Sequence, residues 1–254
     1  MYIHNINPVL VSLGPLQIKY YSLAYLFGAI IVYFLVQFLL KEKKINLNKN
    51  KILDLIVYAL LGVVIGGRLG YILFYNFFYY LSKPLEILAV WSGGMSFHGG
   101  LIGSFALVYY YCKKNNLEFW KIADIMVIPI AIALFLGRIG NFINGELYGR
   151  ITTISWAVKF KGVDGFRHPS QIYEALKNLF IFMVLWFARK RKMADGILFS
   201  IFLIIYSVLR FCIEFFREPD IQIGLLFGLS RGQWFSIAMF ITGIILYVKL
   251  NSKK

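Results

Sequence analysis

The chain has 254 residues, of which 59% are hydrophobic and only 15% are charged. Because a soluble domain carries about a quarter charged residues, this composition and the mean hydropathy of +0.70 indicate an integral membrane protein. The net charge of +15 would suggest nucleic-acid binding if the basic residues formed a face on a soluble domain. They lie instead in short loops between apolar segments, which argues against nucleic acid as a partner and favours contact with anionic membrane lipid.

The cysteines and histidines do not form a pattern typical of disulfides or metal sites. Cys112 and Cys212 each lie at or inside an apolar segment and have no metal-ligand spacing. The histidines are His4, His98 and His168, which are far apart in the sequence. We therefore expect no bound metal, and we expect the two cysteines to be small packing residues.

Seven apolar segments are candidates for membrane-spanning helices, since a helix needs about 20 apolar residues to cross the hydrocarbon. They lie at roughly 19–40, 52–74, 97–112, 122–143, 171–188, 196–215 and 233–250. The first has no small-residue cleavage site after a short apolar core, so we expect a retained span rather than a signal peptide. The third is short and begins with glycines, which makes it a candidate for a re-entrant or broken start.

Lysine and arginine are divided unequally between the two sets of loops. Fifteen of them lie on one side, in residues 41–51, 113–121, 189–192 and the tail after 248, and eight lie on the other side. The side richer in basic residues faces the cytoplasm. The sequence thus predicts an outside N-terminus, a cytoplasmic C-terminus and outward-facing loops at 75–96, 144–170 and 216–232.

The remaining sequence leaves no room for a second soluble domain, and it contains no internal repeat. The longest excursion, about 144–170, includes a candidate short strand, Ser155–Lys161. The predicted fold class is therefore an all-α integral membrane protein, with about seven transmembrane helices and a small extracytoplasmic cap. We expect residues 1–254 to form a single polytopic domain.

Three arginines, Arg68, Arg138 and Arg210, fall inside or at the edge of apolar segments, where each costs several kcal/mol at mid-bilayer. Glu214 follows Arg210 by one helical turn and Tyr206 precedes it by one turn, so these three residues share a helix face. One interpretation is that the arginines are structural and reach towards the interface, and Arg68 fits it as well as a functional one. For Arg138 and Arg210 we favour function, because intramembrane charge is a functional hypothesis by default.

The charges near these arginines predict an anionic ligand. Glu214 is the one obvious carboxylate partner in the sequence, so positive charge is left unmatched. A bound anion would balance it, and the planar guanidinium suits phosphate oxygens. Asn141 lies on the same helix face as Arg138 by the same spacing argument.

Two glycine-rich stretches lie close to Arg68 and His98. Residues Gly62–Gly70 contain overlapping small-xxx-small spacings, which are typical of close helix packing. In Trp91–Gly100, four glycines surround a serine and His98 and do not favour a regular helix. A lone histidine on an apolar face is usually a core residue. The glycine-rich flanks nevertheless favour a functional His98, because imidazole titrates near neutral pH.

Six blocks of the sequence, in order, resemble those of the prolipoprotein diacylglyceryl transferases. The stretch RIGNFINGELYG at 138–149 is similar to the signature of that family. The other blocks are YYSLAY at 20–25, GGRLGY at 66–71, Trp91–Gly103, RHPSQIYE at 167–174 and RFCIEFFREPD at 210–220. Together they cover nearly the whole chain and are far more specific than any one block alone.

The resemblance implies a seven-helix enzyme of the bacterial cytoplasmic (inner) membrane whose active site opens outward. This family transfers the diacylglyceryl group of phosphatidylglycerol to the thiol of the lipobox cysteine of prolipoproteins, forming a thioether and releasing glycerol phosphate. The implied partners are phosphatidylglycerol, the signal-peptide and lipobox region of the prolipoprotein, and membrane lipid, with no cofactor. The positions that match important residues of the family are Tyr21, His98, Arg138, Asn141, Asn144, Glu146, Gly149, Tyr206, Arg210 and Glu214.

The resemblance and the residue chemistry suggest roles for these positions. The substrate thiol must lose its proton, because the thiolate is the reactive form, and His98 is the first candidate for the general base. An arginine-linked network that activates the thiol, with His98 structural, remains an alternative. Arg138 and Arg210 would bind the phosphate and stabilise the charge that grows on it. Glu214 would orient Arg210, and we expect Asn141, Asn144 and Glu146 to hold glycerol hydroxyls.

This sequence departs from some relatives in one region. Fewer than twenty residues separate Gly149 from the block that contains His168, where other members have a much longer excursion. The way in which relatives bind the lipoprotein substrate therefore does not carry over to this chain in detail.

A transporter for an anionic solute is the strongest rival function, but it predicts inverted repeats or paired broken helices, and we find neither pattern. A membrane protease would need a nucleophile–base pair, a carboxylate dyad or a metal motif, and the sequence contains none of these patterns.

Overall fold

The computed structural model describes residues 1–13, 16–218 and 227–252, without the side chains of residues 13, 16–19, 21, 22 and 25. Within these ranges the chain is mainly helical. The helices are α1 (Tyr20–Glu42), α2 (Lys49–Tyr75), α3 (Phe77–Ser82), α4 (Phe97–Lys114), α5 (Phe119–Asn144), α6 (Ser170–Ala188), α7 (Ile197–Glu214) and α8 (Arg231–Asn251). All seven apolar segments of the sequence form helices, and the short helix α3 is the one that the sequence did not predict.

Five of the described helices are long and apolar enough to cross a membrane, namely α2, α5, α6, α7 and α8. This confirms the prediction of an all-helical integral membrane protein. Helices α1 and α4 coincide with the other two candidate segments. The total of seven spans and the orientation of the termini stay predictions.

Two helix starts show how side chains satisfy backbone N–H groups that have no partner inside the helix. The Ser96 hydroxyl accepts a hydrogen bond from the N–H of Gly99 at 3.2 Å and so begins α4. The carboxylate of Asp124, on α5, accepts the N–H groups of Gly196 and Phe199 at the start of α7, both at 2.8 Å. These two bonds give a physical reason for a buried aspartate, since a helix N-terminus favours negative charge.

Helix α4 is regular from Phe97 onward, so the expected re-entrant or broken start is wrong. The irregular backbone lies just before it, in two 3₁₀ turns, Pro84–Leu88 and Val90–Ser92. Gly93 and Gly94 follow these turns at φ +83° and +75°, a left-handed region that favours glycine. The glycines after Ser96 lie inside the helix, where the absence of side chains lets a neighbouring helix approach closely.

That neighbour is α2, whose backbone meets the backbone of α4 at facing glycines. A Cβ atom added to Gly66 would lie 2.7 Å from the Cα of Gly103, and one added to Gly70 would lie 2.8 Å from the Cα of Gly99. Real Cβ atoms do not approach backbone so closely. The small-xxx-small interpretation of Gly62–Gly70 is therefore confirmed as helix packing.

We expect Gly66→Ala to destabilise the protein, because the added methyl group forces α2 and α4 apart. Overpacking of this kind costs about 1–3 kcal/mol, which thermal unfolding in detergent micelles would detect as a lower midpoint. The matched control is Gly28→Ala in α1, where no described atom lies within 4 Å of the added Cβ. Equal midpoints for the two variants would contradict the close contact.

The chain divides into two compact units, residues 37–122 and residues 1–36 with 123–254. The smaller unit is built on the α2–α4 pair. In the larger unit, α7 packs against both α6 and α8. The single domain over 1–254 stays a prediction.

Short strands lie in the larger unit. Strand β1 (Tyr2–Ile3) pairs in parallel with β4 (Val158–Lys159), and β4 is shorter than the predicted strand Ser155–Lys161. The antiparallel pair β2 (Val9–Leu13) and β3 (Leu16–Lys19) was not predicted. The excursion after α5 is therefore tied to the N-terminal segment by backbone hydrogen bonds.

Candidate functional site

Five charged side chains from three helices of the larger unit form what we call the charge cluster. Arg138 comes from α5, Glu174 and Lys177 come from α6, and Arg210 and Glu214 come from α7. The side chains of Lys177 and Glu174 are only 1% and 3% exposed. Ions so deeply buried are tolerated only with close partners of opposite charge, and the cluster supplies them.

Glu174 lies at the centre of the cluster. Its Oε1 is 3.3 Å from Nε of Arg210, and its Oε2 is 3.8 Å from Nε of Arg138. The ammonium of Lys177 donates a hydrogen bond of 2.6 Å to the same Oε2. One carboxylate thus faces three cations, and it meets both guanidiniums at their Nε edges. Among the described residues, the terminal nitrogens of Arg138 have no hydrogen bond or ion pair.

Glu214 pairs with Arg210, as the spacing of one helical turn predicted. Its Oε1 also accepts a hydrogen bond of 2.8 Å from the hydroxyl of Ser230, which caps α8. A Cβ atom at Gly232 would lie 2.7 Å from Oε1, so the first turn of α8 closes tightly over this carboxylate. The N-terminus of α8 favours negative charge there and fixes the carboxylate that orients Arg210.

Tyr206 and Lys177 form a second contact in the cluster. The Lys177 ammonium lies 3.8 Å from the centroid of the Tyr206 ring, a cation–π distance. Tyr206 is 2% exposed. The ring therefore covers one side of the ammonium while Glu174 binds the other.

Sequence reasoning missed Glu174 and Lys177 as members of this site. It took Glu214 as the one nearby carboxylate, whereas Glu174 contacts both arginines more centrally. The signal was present, because an acidic and a basic residue three positions apart interrupt the apolar segment 171–188. Charges inside a membrane span are expected to be functional or paired, and these two are both buried and paired.

The C-terminal end of α5 carries a polar group of residues. The amide of Asn141 donates a hydrogen bond of 2.7 Å to Oε1 of Glu146, and the side chain of Gln171 donates one of 2.6 Å to the backbone carbonyl of Glu146. Gly145 makes the turn at φ +69°. The buried Oδ1 of Asn144 has no hydrogen-bond partner among the described residues. This end of α5 thus retains an acceptor that a hydroxyl group can satisfy.

Gly149 lies where three backbone segments meet. Its N–H donates to the carbonyl of His168 at 2.8 Å, and it forms an isolated bridge with Arg217. A Cβ atom at this position would lie 2.7 Å from the Cβ of His168. The structure therefore gives Gly149 a packing role, and its role in substrate binding stays a prediction.

Arg217, just beyond the end of α7, adds positive charge to this region. Burial lowers the pKa of its guanidinium, and the like charges of Arg210 and Arg138 lower it further. The carboxylates of Glu214 and Glu174 act in the opposite direction, so Arg217 is a further cation in the electrostatic surroundings of the charge cluster. Cations therefore predominate here.

Arg68 has a structural role, one of the two interpretations that its sequence position allowed. Its side chain is 4% exposed and donates to the backbone carbonyls of Ile87 at 2.9 Å, Glu86 at 2.5 Å and Gly93 at 2.5 Å. Its guanidinium also lies 5.0 Å from the centroid of the Tyr80 ring. The arginine holds the irregular segment that precedes α4.

His98 lies in the smaller unit, in the first turn of α4, and its imidazole packs edge-on against the ring of Phe97 with centroids 5.4 Å apart. The structure thus fixes His98 on a helix start rather than on a loop. The side chain of Tyr21 lies outside the described residues, as does Asp220 at the end of the last family-like block.

Comparison with known proteins identifies the same family that the six sequence blocks resemble. The sequence profile of the family described as prolipoprotein diacylglyceryl transferase matches residues 8–249. Three similar proteins bear the name phosphatidylglycerol–prolipoprotein diacylglyceryl transferase. The one from Geobacter sulfurreducens is 45% identical over 98% of this chain and 97% of its own length. The one from Rickettsia typhi is 45% identical over 100% of both chains, and the one from Bordetella avium is 46% identical over 95% of this chain and 94% of its own.

Proposed function

Since the chain belongs to the prolipoprotein diacylglyceryl transferase family, we propose that its charge cluster binds the phosphate of phosphatidylglycerol during diacylglyceryl transfer. The enzyme transfers the diacylglyceryl group of phosphatidylglycerol to prolipoproteins, which is the first step of lipoprotein maturation. The observation that supports phosphate binding by this cluster is its net positive charge. Three cations, of which Lys177 is buried and the two arginines are partly buried, face two carboxylates, and an anionic ligand would balance the excess.

The reaction joins a thiol to a glyceryl carbon. The sulfur of the lipobox cysteine, as thiolate, attacks the glyceryl carbon that bears the phosphate ester, and a carbon–sulfur bond forms as the carbon–oxygen bond breaks. The electron pair of that bond leaves with glycerol phosphate. The proton of the thiol must pass to a base, and the products are a thioether and glycerol phosphate.

Arg138 and Arg210 act on the leaving group. Negative charge grows on the phosphate as the carbon–oxygen bond breaks, and guanidiniums held in place before the reaction stabilise that charge without reorganising. Glu174 holds both arginines by their Nε atoms, and Glu214 holds Arg210 from the other side. The terminal nitrogens of Arg138 are thus left for phosphate oxygens, which suit the planar fork of arginine.

The polar end of α5 suits the glycerol of the head group. Asn144 offers an acceptor without a partner among the described residues, and a glycerol hydroxyl can donate to it. Asn141 and Glu146 already hydrogen-bond to each other, so they present a fixed polar surface. We assign Tyr21, Gly149 and Tyr206 to the substrate site as well, on the family resemblance.

His98 is the proposed base that takes the proton of the lipobox thiol. It is the one histidine in the glycine-rich block that resembles the family, and it lies in the first turn of α4. In the alternative, an arginine-linked network lowers the thiol pKa and His98 is structural. The two assignments predict different pH dependence of turnover.

The active site is proposed to lie at the outer side of the cytoplasmic membrane, in a chain with seven spans and a cytoplasmic C-terminus. In a background of Cys112→Ala and Cys212→Ala, a cysteine at Asn48 should react with an impermeant thiol reagent only after the inner face is opened. A cysteine at Asp164 should react from outside. Both positions are exposed, and the unequal division of basic residues motivates the expectation. Labelling of both cysteines from the same side would remove the seven-span arrangement.

The transferase activity is tested with purified protein, phosphatidylglycerol labelled in its acyl chains and a synthetic lipobox peptide. We expect a thioether adduct of the peptide and an equal amount of glycerol phosphate. The control peptide has serine in place of the lipobox cysteine and should give no adduct. Adduct formation without glycerol phosphate release would contradict the proposed displacement.

A further inference from the structure

Lys177 is a buried ammonium that the proposed reaction does not use. Its side chain is 1% exposed in a segment that otherwise reads as a membrane span. Among the described residues it contacts Glu174 through a hydrogen bond of 2.6 Å and the ring of Tyr206 at 3.8 Å. Because carboxylate and ring enclose it, the ammonium does not present itself to a ligand. Its influence on the reaction must therefore pass through its charge and through Glu174 and Tyr206, the two side chains that enclose it.

The charges of the cluster show what this influence is. Without Lys177, the guanidiniums of Arg138 and Arg210 would face the carboxylates of Glu174 and Glu214, two against two. Such a cluster is neutral, so it would have no net positive charge with which to attract an anionic phosphate. Lys177 adds one positive charge, and it does so at the very oxygen of Glu174 that faces Arg138.

We propose that Lys177 is a positioning residue that sets the charge of the phosphate site. By neutralising Glu174, it lets this carboxylate hold both arginines in place without cancelling their attraction for an anionic head group. The proposal rests on the phosphate role of Arg138 and Arg210 given above. Arg217 adds a positive charge nearby that does not change in the variants considered below.

A purely structural ion pair is the competing explanation. Removing either partner of such a pair leaves an uncompensated buried charge and destabilises the protein, whereas removing both is often tolerated. The structural explanation therefore predicts that Lys177→Met and Glu174→Gln are similarly harmful. The charge-setting role predicts that they shift lipid affinity in opposite directions.

The experiment compares these variants with the wild type in mixed micelles. In the wild type, three cations and two carboxylates give the cluster a charge of +1. Removing only the ammonium gives 0, removing only the carboxylate charge gives +2, and the double variant returns to +1. The measurements are KM for phosphatidylglycerol, kcat with a saturating lipobox peptide, and the thermal unfolding midpoint of each variant.

We expect Lys177→Met to raise KM for phosphatidylglycerol about tenfold, the scale of the Coulomb attraction between two unit charges that lie near each other without direct contact. Glu174→Gln should lower this KM because the cluster then carries a charge of +2, while its kcat should fall because the arginines lose the carboxylate that holds them. The KM of the double variant should return to within about threefold of the wild type, as expected for coupled charges. Lys177→Arg keeps the charge and should retain most of the affinity. An unchanged KM in Lys177→Met, or an equal rise in Lys177→Met and Glu174→Gln, would overturn the role.

Two further arms keep the result interpretable. If Lys177→Met does not fold, the KM values of Glu174→Gln and of the double variant still test the proposal. A rise of KM in either variant contradicts a role of Lys177 in setting the charge of the phosphate site. Arg138→Met tests the phosphate site itself. If its KM is unchanged, the phosphate site is wrong. If its KM rises while that of Lys177→Met does not, only the role of Lys177 is wrong.

Discussion

Replacing His98 with alanine is expected to lower turnover at neutral pH by about a hundredfold or more, the usual scale for loss of a general base. A free cysteine has a pKa of about 8.5, so at neutral pH most substrate thiol stays protonated when nothing accepts its proton. Binding of phosphatidylglycerol should survive, because His98 has no proposed contact with the phosphate. The measurement is single-turnover transfer to a lipobox peptide at saturating lipid.

The pH dependence separates a base from a structural histidine. If His98 accepts the proton, the deficit of His98→Ala should shrink as the pH rises towards 9, since the solvent then ionises the thiol. His98→Gln is the matched control, because it retains a polar side chain that cannot titrate, and it should show the same deficit and the same recovery. Near-normal turnover of His98→Ala at neutral pH would assign thiol activation to the arginine-linked network.

The helices were predictable from sequence because the thickness of the membrane dictates the length of an apolar segment. The segment 233–250, for example, corresponds to Arg231–Asn251. The short strands β1 to β3 were not predictable in this way, because pairing partners distant in the chain define them. The parallel pair of Tyr2–Ile3 with Val158–Lys159 is such a case.

Local and distant interactions also explain which parts of the candidate site were predicted. The pair Arg210–Glu214 follows from a spacing of one turn on one helix. The contact of Glu174 with Arg138 and Arg210 joins three helices, and residue spacing does not say which helix faces meet. In α4 the argument from glycine propensity failed for the same reason, since close approach of α2 outweighs the poor intrinsic preference of glycine for a helix.

Replacing Arg138 with lysine should not restore function, and removing Arg138 or Arg210 should lower turnover roughly 10²- to 10³-fold, the scale of a lost electrostatic donor. An ammonium cannot reproduce the fork of a guanidinium, which here must meet Glu174 through Nε and phosphate through its terminal nitrogens. Both lipid affinity and the chemical step should suffer, because the same contact strengthens as charge grows on the leaving group. Glu214→Gln should be milder, since an amide oxygen still accepts a hydrogen bond from Arg210.

A double-mutant cycle of Arg138→Met and Arg210→Met on the single-turnover rate tests whether the two arginines share one phosphate. Residues that share a ligand should show non-additive losses, with a coupling on the order of 1 kcal/mol or more. Glu174 contacts both arginines and would couple them without any lipid, so the cycle is repeated in a Glu174→Gln background. Coupling that persists there does not pass through the carboxylate of Glu174, as a shared phosphate requires. Additive losses in that background would contradict the shared phosphate, leaving Arg138 as the lipid contact and Arg210 to the thiol or to helix packing.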